Sequence, residues 1–232
     1  MVDDMNFSFP GKNQLGEAVF DILLETIVTG QMSPGESLPI NEISDELGVS
    51  NTPIREALNM LENQGIIEKI PYRGYKIREF SEKEVGDIYE TRIALESFGC
   101  RLAAKRIDRE NKNKLQGLQN KIENLLENSP EEDLDQYKIT HKELHETIIK
   151  ASHNSQLKDI YDGISHLTTF LASLLAIYTS RHHEAVEEHR MIVNAIVNGN
   201  QEKAGRIMEE HIEKSRELII ERWDDSFQPE TD

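Results

Sequence analysis

The seven prolines of this 232-residue chain are unevenly placed, and their placement divides it. Pro10, Pro34, Pro39, Pro53 and Pro71 punctuate the first eighty residues, whereas only Pro130 falls between Pro71 and Pro229. Proline removes a backbone donor and clashes with the preceding helical turn, so long helices can run only where it is missing. Two segments follow: residues 1–80, built of short elements and turns, and residues 81–232, built of long helices. Ser81-Glu82-Lys83-Glu84 marks the join, with a hydroxyl at an N-cap position and a carboxylate three residues on, the arrangement of a capping box.

In the first segment, Val19, Ile22, Leu23 and Ile27 share a face of a helix over 14–29 that stops at Gly30. A second helix, 41–47, carries Ile43 and Leu47 and ends at Gly48; a third, 53–64, carries Ile54, Ala57, Leu58 and Leu61 and ends at Gly65. A hairpin signal follows, with strand patterns on either side of Pro71-Tyr72-Arg73-Gly74. Three short helices and a hairpin make a winged helix-turn-helix whose third helix is the recognition-helix candidate. In the second segment, breaks at Asp108-Arg109, Ser129-Pro130, His153-Asn154-Ser155, Ser180-Arg181 and Gly199-Asn200 predict six helices. They fall near 82–106, 110–128, 131–152, 156–179, 182–198 and 201–223, and short connections make them antiparallel neighbours. The expected fold is mainly α, an N-terminal winged helix-turn-helix plus a C-terminal all-α antiparallel helical bundle, with a frayed polar tail from Asp224.

Charge restricts what the first domain can bind. With 26 basic against 43 acidic residues the net charge is −17, which excludes nucleic-acid binding by bulk charge and leaves only focal patches. Residues 1–80 hold six basic residues (Lys12, Arg55, Lys69, Arg73, Lys76, Arg78) and thirteen acidic ones. Four of the six lie from Lys69 to Arg78 with no acid among them, which predicts a positive strip on the wing. With Thr52 as N-cap and Pro53 as first helical residue, Arg55 falls in the first turn, where its charge opposes the helix dipole and wants an anion or a guanine edge. Taken singly, an Arg55 paired with a surface carboxylate and a hairpin that only caps a helical core are the plainer readings. The order of the elements favours DNA.

The opening Met-Val-Asp-Asp-Met-Asn is acidic where a signal peptide is basic, and no run approaches the roughly 18 apolar residues of a membrane span. Leu167 to Tyr178 is interrupted by Thr168, Thr169 and Ser173 and reads as a buried helix. Cys100, the one cysteine, reads as a buried inert thiol in a reducing cytoplasm.

Seven of the eight histidines fall between His141 and His189, with His211 beyond. His141 and His145, four apart, share a helix face at a spacing that can chelate a metal. His189 and His211 lie eleven residues either side of Asn200, so an antiparallel helix pair sets them level. If all four point inward, they offer nitrogen ligands to one point in a bundle core. Neutral imidazoles suit zinc, nickel, copper or iron better than magnesium or calcium. His153, His182 and His183 read as helix-end residues, and His166 as a core-edge or pocket residue. Arg92 sits on the inward stripe of Val85, Ile88, Leu95 and Leu102, where a guanidinium needs an anion, either Glu96 at i+4 or a ligand carboxylate.

The run Met32-Ser33-Pro34-Gly35-Glu36-Ser37-Leu38, then Leu47-Gly48-Val49-Ser50-Asn51-Thr52-Pro53-Ile54-Arg55-Glu56-Ala57-Leu58, Leu61-Glu62, Gly65 and Arg73-Gly74, resembles the DNA-binding domain of GntR-family transcriptional regulators. The resemblance implies a homodimer on double-stranded operator DNA with inverted-repeat symmetry. Its contacts come from Ser50, Thr52, Arg55, Arg73 and Gly74, with Asn51 and Asn41 where the family carries basic residues. Asparagine reads an adenine edge, so an altered operator is expected. Residues 82 to about 220 resemble the FCD ligand-binding domain of the FadR branch, through Ile88-Tyr89-Glu90-Thr91-Arg92-Ile93-Ala94-Leu95-Glu96, Leu102-Ala103-Ala104, Leu144-His145, Ala151-Ser152-His153-Asn154, Glu188-His189 and Glu210-His211. Six helices favour its shorter VanR-type form. This second resemblance implies a divalent metal on His145, His189 and His211, with a small organic acid beside it. His141 stands where the family has an acid or amide, so the site gains a positive charge where an acid is replaced. Zinc or nickel and an anionic effector touching Arg92 are expected, in a protein that is more a repressor than an activator.

Two other classes compete. A zinc hydrolase of the H-E-x-x-H kind needs its glutamate next to the first histidine, but Glu143 lies two residues, about 200°, around the helix from His141. No P-loop, G-x-G-x-x-G, G-x-S-x-G or Pro-Cys-x-x-Cys signature occurs, so no enzyme activity is expected. The third class is a helical protein-interaction module, whose binding, unlike that to DNA, would resist salt.

Overall fold

The computed structural model describes residues 13–128, 134–178 and 181–221. The breaks expected at Ser129-Pro130 and Ser180, the tail from Asp224 and the cation of Lys12 lie outside them. The chain forms two compact units, one of residues up to 27 with 31–78, the other of 28–30 with 79 onward.

The first unit holds α1 (Asn13–Val28), β1 (Ser37–Leu38), α2 (Ile40–Leu47), α3 (Asn51–Asn63), β2 (Ile67–Ile70) and β3 (Gly74–Ile77). Val19, Leu23 and Ile27 of α1 are buried, as are Ile43, Ile54, Ala57, Leu58, Leu61, Ile67, Tyr75 and Ile77. Ile22 is 46% exposed instead, and Phe20 and Leu24 take its place, so the buried stripe of α1 leans to one side of the predicted one. Gly48 ends α2 in the left-handed conformation (φ 65°), and its amide donates to Ser44 O. The three strands are antiparallel in the order β1-β3-β2, with Leu38 opposite Tyr75 and Glu68 opposite Lys76. β1, which the sequence reading missed, is two residues long, too short to show an alternation.

One helix start is corrected. α3 begins at Asn51 with Ser50 as N-cap (φ −70°, ψ 164°), so Thr52 is its second residue and Pro53 its third. Proline is tolerated there because the first four amides have no acceptor within the helix. Arg55 then follows the first turn, and the helix dipole bears on it less than expected.

The second unit is all helical: α4 (Glu82–Arg106), α5 (Arg109–Asn128), α6 (Leu134–Ala151), α7 (Ser155–Tyr178), α8 (His182–Val197) and α9 (Gln201–Glu221). The Ser81–Glu84 capping box forms in both directions. α4 packs along α9 and also meets α6, α7 and α8, while α5 packs on α6 and α8. The buried line of α4 is Val85, Tyr89, Arg92, Glu96, Cys100 and Ala103. The expected stripe of Ile88, Leu95 and Leu102 flanks it half-buried, with Leu95 and Leu102 against Ile149, Leu157 and Tyr161. Gly99 lets α4 approach α6, since a Cβ there would lie 2.6 Å from Ile149 Cδ1. No helix among the described residues is long and apolar enough to cross a membrane.

Candidate metal centre and nucleic-acid interface

Ser50, Asn51, Thr52 and Arg55 are all exposed on the first two turns of α3 or just before it. Asn51 Nδ2 donates to Asn41 Oδ1 at 3.1 Å, so the two asparagines hold each other across the helix-turn-helix. Arg55 is exposed and makes no hydrogen bond or ion pair among the described residues, so the surface pair weighed for it does not form. Arg73 is exposed in the wing turn, between Tyr72 (φ 64°) and Gly74 (φ 103°). The wing's positive strip is weaker than expected: Lys76 Nζ pairs with Glu68 at 3.1 Å. Glu68 lies one residue outside the acid-free stretch, and the strand register folds it back onto Lys76.

In the helical unit, His141 and His145 stand on α6, His189 on α8 and His211 on α9. One ligand nitrogen from each lies within 4.8 Å of the others. His145 Nε2 is 3.4 Å from His189 Nε2, and His189 Nε2 is 3.2 Å from His211 Nε2. These match the roughly 3.3 Å edges of a tetrahedron of nitrogens bound to zinc at about 2.0–2.1 Å. The level placement of His189 and His211 follows from the α8–α9 turn, where Gly199 takes φ 73° and Asn200 Oδ1 accepts from Lys203 N.

Two carboxylates orient the imidazoles. His145 Nδ1 donates to Glu96 Oε2, and His211 Nδ1 donates to Glu188 Oε2 at 2.7 Å. An ionised carboxylate only accepts, so both protons sit on Nδ1 and both Nε2 lone pairs point inward. An arginine holds each carboxylate in turn. Arg92 Nε donates to Glu96 at 3.0 Å, and Arg181 Nη2 donates to both Glu188 oxygens at 2.7 and 2.6 Å. Burial pushes Glu96 up, but His145 and Arg92 outweigh it and hold the carboxyl at about 2. Glu188 likewise resists burial and sits at about 2, through His211, Lys214 and Arg181. Burial drives His141 and His189 well below the ordinary imidazole value, and His211 down to about 4.

Neutral imidazoles whose lone pairs converge repel unless a cation lies among them. A proton on His189 Nε2 could serve only one neighbour, and His189 Nδ1 is buried without a partner. The donor set therefore fits a divalent transition metal held by His141, His145, His189 and His211, which would act as a Lewis acid toward an anionic ligand. A cavity of about 60 Å³ adjoins the cluster, with Tyr89, Arg92, His141, Arg181, His182 and His211 in its wall. That is several times the ~10–15 Å³ a water molecule needs. Glu143 is turned away and pairs with Lys114 at 2.7 Å, so the base of a hydrolase is not supplied by this residue.

Of the sequence-predicted residues, the four histidines and Arg92 meet at one place. His153 pairs with Asp108 at 3.1 Å at the end of α6. His182 is no helix-end solvated group, because it reaches the cavity wall, whereas His166 meets Lys142 Nζ at 3.3 Å and lies outside that wall. Glu188, Arg181 and Tyr89 were missed, and Glu96 was seen only as a partner of Arg92. The register that sets His189 beside His211 also carries Glu188 to His211, a signal the sequence contained. The Glu96–His145 pair, 49 residues apart, left none.

Residues 15–77 match the gntR family of bacterial regulatory proteins, and residues 87–214 match the FCD domain. YdhC, an HTH-type transcriptional regulator of Bacillus subtilis (strain 168), is 29% identical over 80% of this chain and 82% of its own. The gluconate operon transcriptional repressor of the same strain is 25% identical over 96% of this chain and 94% of its own. In fold, the chain is similar to E. coli McbR/YncC, with a TM-score of 0.78 and 19% identity over 90% of this chain and 98% of that one. It is also similar to a transcriptional regulator GntR from Rhodococcus sp. RHA1, with a TM-score of 0.74 and 18% identity over 89% of this chain and 97% of that one. The FCD match alone covers more than half of the chain, which therefore belongs to the GntR family of transcriptional regulators, a winged helix-turn-helix joined to an FCD domain.

Proposed function

We propose that this regulator is a cytoplasmic, homodimeric repressor without enzyme activity, released from an inverted-repeat operator by a small organic carboxylate. In this reading Ser50, Asn51, Thr52, Arg55, Arg73, Gly74 and Asn41 form the DNA surface of each protomer. His141, His145, His189 and His211 hold zinc or nickel, and the carboxylate binds beside the metal against Arg92. The supporting observation is the convergence of four buried or half-buried imidazoles, two of them aimed by carboxylates, beside a cavity whose wall includes His141, His211 and Arg92. Binding shifts the packing of the helical bundle and so the placement of the two winged helices. The coupling is no larger than the difference in the effector's affinity for the two arrangements.

Elemental analysis of the purified, unchelated protein tests the metal centre. About one transition metal per chain, lost in both His145→Ala and His211→Ala, supports it; no metal in wild type and none taken up on titration removes it and leaves the DNA reading standing. His141→Asp restores an anionic ligand and is expected to weaken both the preference for zinc or nickel and the affinity for an anion. Unchanged metal and anion binding in that variant would discard the role given to His141. If saturating effector leaves operator affinity unchanged, the switch fails even where the site is real.

A further inference from the structure

Resting on the DNA reading above, we infer that Asn59, Tyr75 and Lys69 build a seat for a DNA phosphate between α3 and the wing, in addition to the contacts at the start of α3 and in the wing turn. Side chains alternate between the faces of a strand, so the register of β2 on β3 sorts the wing's charges. Ile67 stands opposite Ile77 and Lys69 opposite Tyr75, which puts all four on one face. Ile67, Tyr75 and Ile77 are buried, so this face is turned toward the core of the unit. Glu68 and Lys76 stand on the other face and pair there at 3.1 Å. Lys69 is exposed on the inner face, its Nζ 5.8 Å from the centre of the Tyr75 ring, with no carboxylate partner among the described residues.

Tyr75 joins that face to α3. Its side chain is buried, and its hydroxyl donates to Asn59 Oδ1 at 2.9 Å. With the carbonyl end of the amide engaged, Asn59 Nδ2 keeps two hydrogens to give and has no partner among the described residues. Asn51, Arg55 and Asn59, four residues apart, run down one exposed side of α3. Lys69 and Asn59 thus place a full charge and an oriented amide on either side of one buried tyrosine, next to the side of α3 that presents Arg55. A phosphate oxygen accepts from both, a contact that fixes the protein's register on the duplex and reads no sequence. With a net charge of −17 and Lys76 neutralised by Glu68, each unpaired cation on this unit counts for more.

The test is fluorescence anisotropy of the full chain with a labelled DNA duplex of random sequence over a series of salt concentrations, because phosphate contacts dominate such binding. Lys69→Gln is expected to weaken binding about threefold to tenfold and to reduce the salt slope by about one per protomer, whereas Lys76→Gln, on the other face, changes both by less. Asn59→Asp keeps an acceptor for Tyr75 but puts a negative charge where the donor was. It is expected to weaken binding about tenfold with an unchanged melting temperature. Tyr75→Phe keeps the ring under Lys69 and releases the amide, for an expected loss of about threefold. Asn59→Ala made in that background adds little, because both changes remove the same contact. Additive losses remove the positioning role given to Tyr75; should Tyr75→Phe unfold, the exposed variants Lys69→Gln and Asn59→Asp decide. Unchanged binding and salt slope in those two, or an equal loss in Lys76→Gln, overturns the inference and leaves the DNA reading standing. A wild-type chain that binds no duplex even at low salt overturns both.

Discussion

Each of two histidines of the cluster is only the inner end of a three-residue relay: Arg92–Glu96–His145 on one side, Arg181–Glu188–His211 on the other. The carboxylate fixes the tautomer and raises the basicity of its imidazole, and such outer partners typically carry about 10–100-fold in metal affinity. Glu188→Gln keeps the shape but cannot hold the Nδ1 proton as firmly, so zinc affinity measured against a competing chelator is expected to fall by about that factor. Glu96→Gln should do the same through His145. If neither affinity moves, the carboxylates only neutralise Arg92 and Arg181. Lys214 also reaches Glu188, at 2.7 Å, but from a half-exposed position, and Lys214→Met is expected to change metal affinity less than Glu188→Gln.

At the scale of elements, the meeting of α4 with α6 sets Glu96 beside His145, and Gly99 permits that approach. Gly99→Ala is expected to destabilise the domain by about 1–3 kcal/mol through overpacking against Ile149, and to lower metal affinity as the helices part. A melting temperature and a chelator competition read the two effects separately. The helices themselves were legible because each break carries its own chemistry: Ser81 with Glu84, Gly48, Gly199 with Asn200. The face that α4 buries was not. A stripe chosen by large aliphatic side chains runs through Ile88, Leu95 and Leu102, whereas the central line holds Tyr89, Arg92, Glu96 and Cys100, none of them a large aliphatic and two of them charged. Histidine spacing showed which imidazoles converge but not what orients them, since a carboxylate 49 residues from its histidine has no signature along the chain. Strand β1 and the true start of α3 escaped for a related reason: both are set by backbone pairing and not by side-chain pattern.

At the scale of the whole molecule, the buried groups make stability depend on pH in a defined direction. His141, His189 and His211 are depressed below their unfolded value near 6.5, so between that pH and about 4 the unfolded chain binds more protons than the folded one. Stability of the metal-free protein therefore falls as pH drops through this window, and falls further below about 4.5 as Glu96 and Glu188, held at about 2, lose their advantage. Chemical denaturation of the chelated protein at pH 7.5, 6 and 5 is expected to show a steady decline; a flat profile would mean that these groups are not buried as described. The net charge of −17 sets a second expectation, because operator binding then rests on few cations. Arg73→Ala should lower affinity about equally for all sequences and reduce the salt slope by about one per protomer, whereas Arg55→Ala should also relax sequence preference. The cluster's depth has one more consequence. Its imidazoles come from α6, α8 and α9, with His145, His189 and His211 between 0% and 4% exposed, and His141 and His211 also line the cavity, so that cavity is the path in and out for any ion held there. An anion seated in that cavity would close the same path, so an ion held by the cluster would exchange more slowly once the cavity is filled.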